Sequence, residues 1–172
     1  MKKKRCESVW ELFLEHSQAE EAFKTESDRA VSLITAAFLD DGLEALLRKC
    51  LINDPLKVDE LFSYNGPFGT FSSRINIAHA LGHISETTYN DLNIVRGIRN
   101  DFAHSRQEIS FETQSVKDRA MNLSYPMITH GAETPDFGCP RVRYIEITSW
   151  TLNKIQARER ELSNPVCPEN MA

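Results

Sequence analysis

The sequence predicts an all-α protein, a single compact bundle of about six or seven helices. Over most of the chain, apolar residues recur at the i, i+3, i+4 and i+7 spacing that is typical of one helix face, and no segment alternates convincingly as a strand does. A length of 172 residues fits one domain. We therefore expect a single domain over residues 1–162, followed by a tail at 163–172 that contains two prolines and frays.

The helices are bounded by capping residues and by breaks in the apolar pattern. Ser27 and Ser85 are suited to cap long helices, and Asp54-Pro55 provides an N-cap followed by proline at the first helical position. Gly82 is placed either to end a helix or to let two helix backbones approach closely. The predicted helices span residues 7–24, 28–51, 55–61, 72–83, 86–103, 114–123 and 141–162.

The remaining segments predict loops. Residues 64–69, Tyr-Asn-Gly-Pro-Phe-Gly, combine two glycines and a proline and must form a defined turn. Residues 105–113 are mixed, and 108–112 have the composition of a briefly extended segment. Residues 124–140 contain three prolines and two glycines, so we expect a loop there as well.

Composition excludes several functional classes. Lys and Arg total 20 against 25 Asp and Glu, so the net charge is −5, whereas proteins that bind DNA non-specifically are normally basic. The four cysteines are far apart and form no Cys-x-x-Cys pair. No apolar run approaches the ~18 residues of a membrane span. We expect a cytoplasmic protein with reduced thiols.

The stretch from Ile94 to Ser105 has the clearest chemical potential. Arg96, Asn100 and His104 are four residues apart and share a helix face. On a phosphodiester, Arg99 would neutralise the phosphate, His104 would act as general acid or base, and Asn100 would orient a hydroxyl. The alternative is structural. In that case Asn100 and His104 cap the helix end, while Arg99 pairs with Asp101 or with a partner chain.

Two further patterns have weaker functional interpretations. His79 and His83 have the i, i+4 spacing of zinc ligands, but Ala80 replaces the glutamate of a metalloprotease motif and a third ligand would have to be His104 or Asp91. We favour packing or solvent-facing histidines and expect no metal and no cofactor. Residues 78–99 have the outline of a helix-turn-helix, yet residues 74–106 sum to only +1, which is weak for a recognition helix.

Several blocks of sequence resemble the mannitol operon repressor family. One is residues 64–75, Tyr-Asn-Gly-Pro-Phe-Gly-Thr-Phe-Ser-Ser-Arg-Ile, and another is residues 98–105, Ile-Arg-Asn-Asp-Phe-Ala-His-Ser. The resemblance covers roughly residues 27–125 and, more loosely, the last helix. The other blocks, in the same order along the chain, are residues 27–30, 36–40, 80–84, 91–92 and 110–112.

This resemblance implies an all-α transcriptional regulator of sugar-alcohol genes that lacks an obvious DNA-reading motif. Arg99–His104 is also similar to the R-x4–6-H motif of HEPN domains, helical modules of which some are metal-independent endoribonucleases with a site shared across a dimer. That second resemblance implies Arg99 and His104 as a catalytic pair assisted by Asn100.

Two hypotheses follow for the function. The first is a non-catalytic regulator that binds another macromolecule, with Arg96, Asp101 and Arg74 as candidate surface residues. The second is a HEPN-like endoribonuclease or RNA-binding toxin-like domain using Arg99, Asn100 and His104. For partners we expect a protein or a nucleic acid (RNA rather than non-specific DNA), no membrane, and a homodimer.

Overall fold

The computed structural model describes residues 23–124 and 137–162. Within these two ranges the chain forms six helices and no strand, which confirms the predicted all-α bundle. None of the described helices is both long enough and apolar enough to span a membrane. The helices are α1 (Asp28–Arg48), α2 (Pro55–Phe62), α3 (Phe71–Ala80), α4 (Glu86–His104), α5 (Gln114–Met121) and α6 (Pro140–Glu161).

Local capping chemistry sets the helix starts as predicted. The Ser27 side chain accepts a hydrogen bond from the backbone N–H of Ala30, and Ser85 accepts one from Thr88. Asp54 caps α2 with Pro55 in its first turn. The sequence analysis did not identify the cap of α3, which is Thr70 in a reciprocal capping box with Ser73.

Two helix ends and one loop differ from expectation. Helix α1 ends at Arg48 instead of residue 51, and α3 ends at Ala80 instead of residue 83. At the second end Gly82 adopts φ +72°, a left-handed conformation that terminates a helix. Residues 108–112 form no strand, because Phe111 and Glu112 lie in a turn. The predicted helix at 7–24, most of the 124–140 loop and the tail at 163–172 lie outside the described residues.

Helix α1 lies at the centre of the bundle and packs against α6, α4 and α3. Gly42 allows the close approach of α1 to α6, since a Cβ built on it would lie 2.9 Å from the Leu152 side chain. The core is formed by apolar side chains from all six helices, among them Leu39, Leu43, Leu46, Val58, Ile75, Leu92, Ile98, Phe102, Val116 and Leu152.

Polar contacts, part-buried at Asp28 and fully buried at Tyr144, connect the start of α1 to the start of α6. The Asp28 carboxylate accepts a hydrogen bond from the backbone N–H of Phe111 at 2.8 Å and pairs with Arg141. Further along both helices, the fully buried Tyr144 hydroxyl lies 3.2 Å from the hydroxyl of Thr35. These contacts between α1 and α6 join residues that are 109 and 113 positions apart in the chain.

The buried Tyr144 hydroxyl predicts an alkaline destabilisation. Burial raises the pKa of Tyr144 from 10.0 to about 12, so between these values the unfolded chain loses a proton that the folded chain retains. The free energy of unfolding therefore falls as pH rises, by at most about 1.4 kcal/mol per pH unit from this group. In Tyr144→Phe we expect a shallower fall, measured by urea unfolding between pH 9 and 11.5. The control is Tyr64→Phe at an exposed position, and an equal slope in Tyr144→Phe and the wild type would contradict the expectation.

Candidate functional site

A cleft of about 520 Å³ opens between α1, α4 and the loop that precedes α3. Its volume falls in the range of small-molecule sites. Three segments that are distant in the sequence supply its walls, and both apolar and charged side chains face it. The lining residues are Leu33, Ala36, Ala37, Asp40, Tyr64, Gly69, Thr70, Phe71, Ser72, Arg96, Arg99 and Asn100.

The loop wall, residues 63–70, is held in one conformation by its own backbone. The N–H of Phe68 donates to the carbonyl of Leu61 at 2.9 Å, and the N–H of Gly66 donates to Ser63 at 2.8 Å. A Cβ at Gly66 would lie 2.3 Å from the Leu61 carbonyl oxygen, so no other residue fits there without a backbone shift. The predicted turn is therefore a fixed wall of the cleft.

Arg74 fastens this loop to α1. Its Nε donates to the carbonyl oxygen of Phe68 at 2.9 Å, and its two terminal nitrogens lie 2.7 Å from carboxylate oxygens of Asp40 and Glu44. The guanidinium also lies over the Phe62 ring, 5.5 Å from the centroid. We expected Arg74 on a binding surface, but the structure leaves only 8% of it exposed, because it fills the space behind the loop.

The carboxylate of Asp40 is the acidic group of the cleft. Partial burial raises its pKa, and the Arg74 guanidinium acts in the opposite direction. Since one oxygen of Asp40 already accepts from Arg74 at 2.7 Å, the two charges largely offset each other. The remaining charge of the cleft comes from α4.

Arg96 and Arg99 lie on the α4 wall, and the hydrogen bonds that each makes there go to a neutral side chain. Within the described residues, Arg96 donates to the side-chain oxygen of Asn93 at 3.3 Å, and Arg99 donates to that of Asn100 at 3.1 Å. The buried Nε of Arg96 meets no acceptor within the described parts of the chain. Some other described arginines pair with carboxylates, namely Arg48, Arg74, Arg119, Arg141 and Arg158, whereas Arg29 and Arg143 donate to the backbone carbonyls of Ser105 and Leu123.

The structure gathers only part of the predicted phosphodiester site. Arg99 and Asn100 face the cleft together with Arg96, as their spacing predicts. His104 is the last residue of α4, is exposed, and is not among the residues that line the cleft. Asp101 pairs with Arg119 on α5 at 2.7 Å and not with Arg99. The HEPN-like grouping of Arg99, Asn100 and His104 therefore gains no support from the cleft.

The two histidines with metal-ligand spacing contact different partners. His79 pairs with Glu86 at 3.0 Å and stacks on Tyr89, with ring centroids 4.6 Å apart. The Nε2 of His83 lies 3.0 Å from the Sγ of Cys50, and burial is the main cause that lowers the pKa of His83. Burial raises the pKa of the Cys50 thiol, which disfavours the reactive thiolate. The described residues contain no cluster of three potential metal ligands.

Sequence reasoning missed the parts of the cleft that come from α1 and the loop. Asp40 and Ala37 carried no motif of their own, and the loop was interpreted only as a connector. The available signal was the resemblance itself, since three of its blocks, residues 36–40, 64–75 and 98–105, meet in this cleft.

Comparison with known proteins agrees with that resemblance. Residues 17–134, more than half of the chain, match the sequence model of the family described as MtlR, mannitol repressor. The chain belongs to the mannitol repressor family. Among curated proteins, none matches it.

A solved structure extends the likeness to the fold. The chain resembles a chain in the X-ray structure of the MtlR–HPr complex from Escherichia coli, with a TM-score of 0.64 and 17% sequence identity. The match covers 81% of this chain and 97% of the other.

The position of Arg74 predicts a large loss of stability on its removal. Arg74→Met keeps the apolar stem but leaves Asp40 and the Phe68 carbonyl without the donor that Arg74 provides, and leaves Glu44 paired with Arg48 alone. We expect the free energy of unfolding to fall by about 3 kcal/mol, because breaking a buried ion pair leaves uncompensated charge. Urea unfolding measures the loss.

Two variants test that explanation. Arg158→Gln removes a solvent-exposed ion pair with Glu161 and is expected to cost no more than about 0.5 kcal/mol. Arg74→Lys retains the positive charge but not the planar guanidinium with its several donors. Its free energy of unfolding should therefore lie between those of Arg74→Met and the wild type. Equal stability of Arg74→Met and the wild type would show that the loop does not depend on this residue.

Proposed function

We propose that this protein is a transcriptional regulator of the mannitol repressor type, a non-catalytic helical module that acts by binding a macromolecular partner. The family match over residues 17–134 is the observation that carries the proposal. A net charge of −5 supports regulation through another protein over non-specific wrapping of DNA.

The partner class is proposed from the related structure. That Escherichia coli MtlR was solved in a complex with HPr, and we propose that this chain binds an HPr protein of its own organism in the cytoplasm. Homodimer formation and RNA binding, which the sequence analysis also expected, remain predictions.

The exposed side of α4 is the surface we propose for partner contact. Arg99 is exposed, and Arg96 and Asp101 are half-buried beside it. Because neither arginine pairs with a carboxylate in the described residues, their charge is available to acidic groups of a partner. Arg74, buried behind the loop, instead maintains the shape of the adjoining wall.

Binding to HPr tests the partner and the surface together. The wild-type protein is expected to form a complex with HPr of its own organism, measured by isothermal titration calorimetry. Arg99→Glu should weaken it by about tenfold or more, since reversal of an interface charge replaces attraction with repulsion. In a reporter strain for mannitol uptake genes, the wild type should lower transcription and Arg99→Glu should do so less.

Arg160→Glu is the matched control, because it makes the same charge change at an exposed position near the end of α6. Its affinity and its reporter activity should equal those of the wild type. Absence of any complex between the wild-type protein and HPr would reject the proposed partner. Equal weakening by both reversals would reject the α4 surface while leaving the partner in place.

The non-catalytic character has its own test. Purified protein incubated with a range of RNAs in the presence of EDTA is expected to leave them intact, because His104 lies outside the cleft that contains Arg99 and Asn100. Cleavage by the wild type that disappears in His104→Ala would replace the binding module with a metal-independent ribonuclease. Circular dichroism of His104→Ala verifies that the variant is folded.

A further inference from the structure

We propose that the cleft between α1, α4 and the 63–70 loop is a binding site for a small phosphorylated compound. The proposal does not rest on the proposed partner, and its test contains no partner protein. It joins three features of the cleft, namely two arginines that pair with no carboxylate of residues 23–124 and 137–162, a helix N-terminus that opens on the same space, and an exposed aromatic ring at the rim.

The arginines supply the recognition of an anion. In the part of the chain that the structure describes, the guanidinium groups of Arg96 and Arg99 donate to neutral side-chain amides, with bonds of 3.3 and 3.1 Å. Amide oxygens leave most of the donors of a guanidinium unused. A phosphate group has several acceptor oxygens and up to two negative charges, so it is suited to bind two guanidinium groups with unused donors.

The opposite wall adds weaker attraction for the same group. Thr70, Phe71 and Ser72 line the cleft at the start of α3, a helix of ten residues. Backbone N–H groups in the first turn of a helix carry partial positive charge and favour anions. The hydroxyl of Ser72 and the amide of Asn100 provide neutral groups for the hydroxyls of an organic phosphate.

The acidic groups near the cleft do not cancel this charge. Asp40 and Glu44 are both bound to the Arg74 guanidinium, and Asp101, which follows Asn100, is bound to Arg119. Tyr64, 90% exposed, stands at the rim and provides an aromatic face for the carbon skeleton of a ligand. The site therefore has a net positive wall in a chain whose overall charge is −5.

The test uses inorganic phosphate and glycerol 3-phosphate as probes, with glycerol as the uncharged counterpart. In ¹H–¹⁵N NMR titrations both phosphates should produce saturable shifts at Arg96, Arg99 and Ser72, and glycerol should produce none. Stronger binding of glycerol 3-phosphate than of phosphate indicates an organic ligand, whereas equal binding identifies a site for the free ion. Either result supports the site, and no saturable shift up to 50 mM phosphate would overturn it.

Variants distinguish binding of phosphate in the cleft from a general effect of the charge of the protein. Arg99→Gln, at an exposed position, should weaken phosphate binding by about tenfold, the effect of losing a hydrogen bond to a charged group. Arg160→Gln removes the same charge on α6 and should leave the affinity unchanged. Ala37→Phe fills the cleft from the α1 side without a change of charge, and should also reduce binding at least tenfold. Equal losses in Arg99→Gln and Arg160→Gln, or unaltered binding in Ala37→Phe, would overturn the proposal.

Discussion

The guanidinium of Arg74 is the contact on which the geometry of the cleft depends. One side chain holds α1 through Asp40 and Glu44, and holds the loop through the carbonyl oxygen of Phe68. Glu44 in turn pairs with Arg48, which binds Asp59 on α2. Two helices and a loop are thus positioned by a continuous set of charged contacts, packed on the Phe62 ring. Surface ion pairs contribute little singly, whereas a partly buried network with forked geometry fixes relative positions.

The ion pairs around the cleft also bear on the two arginines of α4, which pair with no carboxylate among the described residues. Asp40 is the carboxylate that lines the cleft beside them, and it is held by Arg74. Asp101 is held by Arg119 from the neighbouring helix α5. With these carboxylates already paired, Arg96 and Arg99 face the cleft with neutral partners. The cleft is therefore locally positive although the protein as a whole is acidic. The cause is that the nearby carboxylates are paired with other arginines, and not the overall composition.

Local features were predictable from the sequence and tertiary ones were not. The caps at Ser27, Asp54 and Ser85 depend on atoms within a few residues, so the residue types were sufficient. The left-handed Gly82 moved the end of α3, and either role proposed for it was compatible with the sequence. Arg74 and Asp40 are 34 residues apart, and no helix periodicity connects them. Likewise, the spacing of Asn100 and His104 gave a shared helix face but could not show that the cleft ends before His104.

The close crossing of α1 and α6 at Gly42 shows that the folding unit is larger than the segment by which the family is defined. The family match ends at residue 134, yet α6 begins at Pro140 and provides Tyr144 and Leu152 to the centre of the bundle. A fragment cut at residue 134 would expose the apolar side of α1 and lose the pairing of Asp28 with Arg141. The segment defined by sequence similarity is therefore shorter than the segment that contributes to the hydrophobic core.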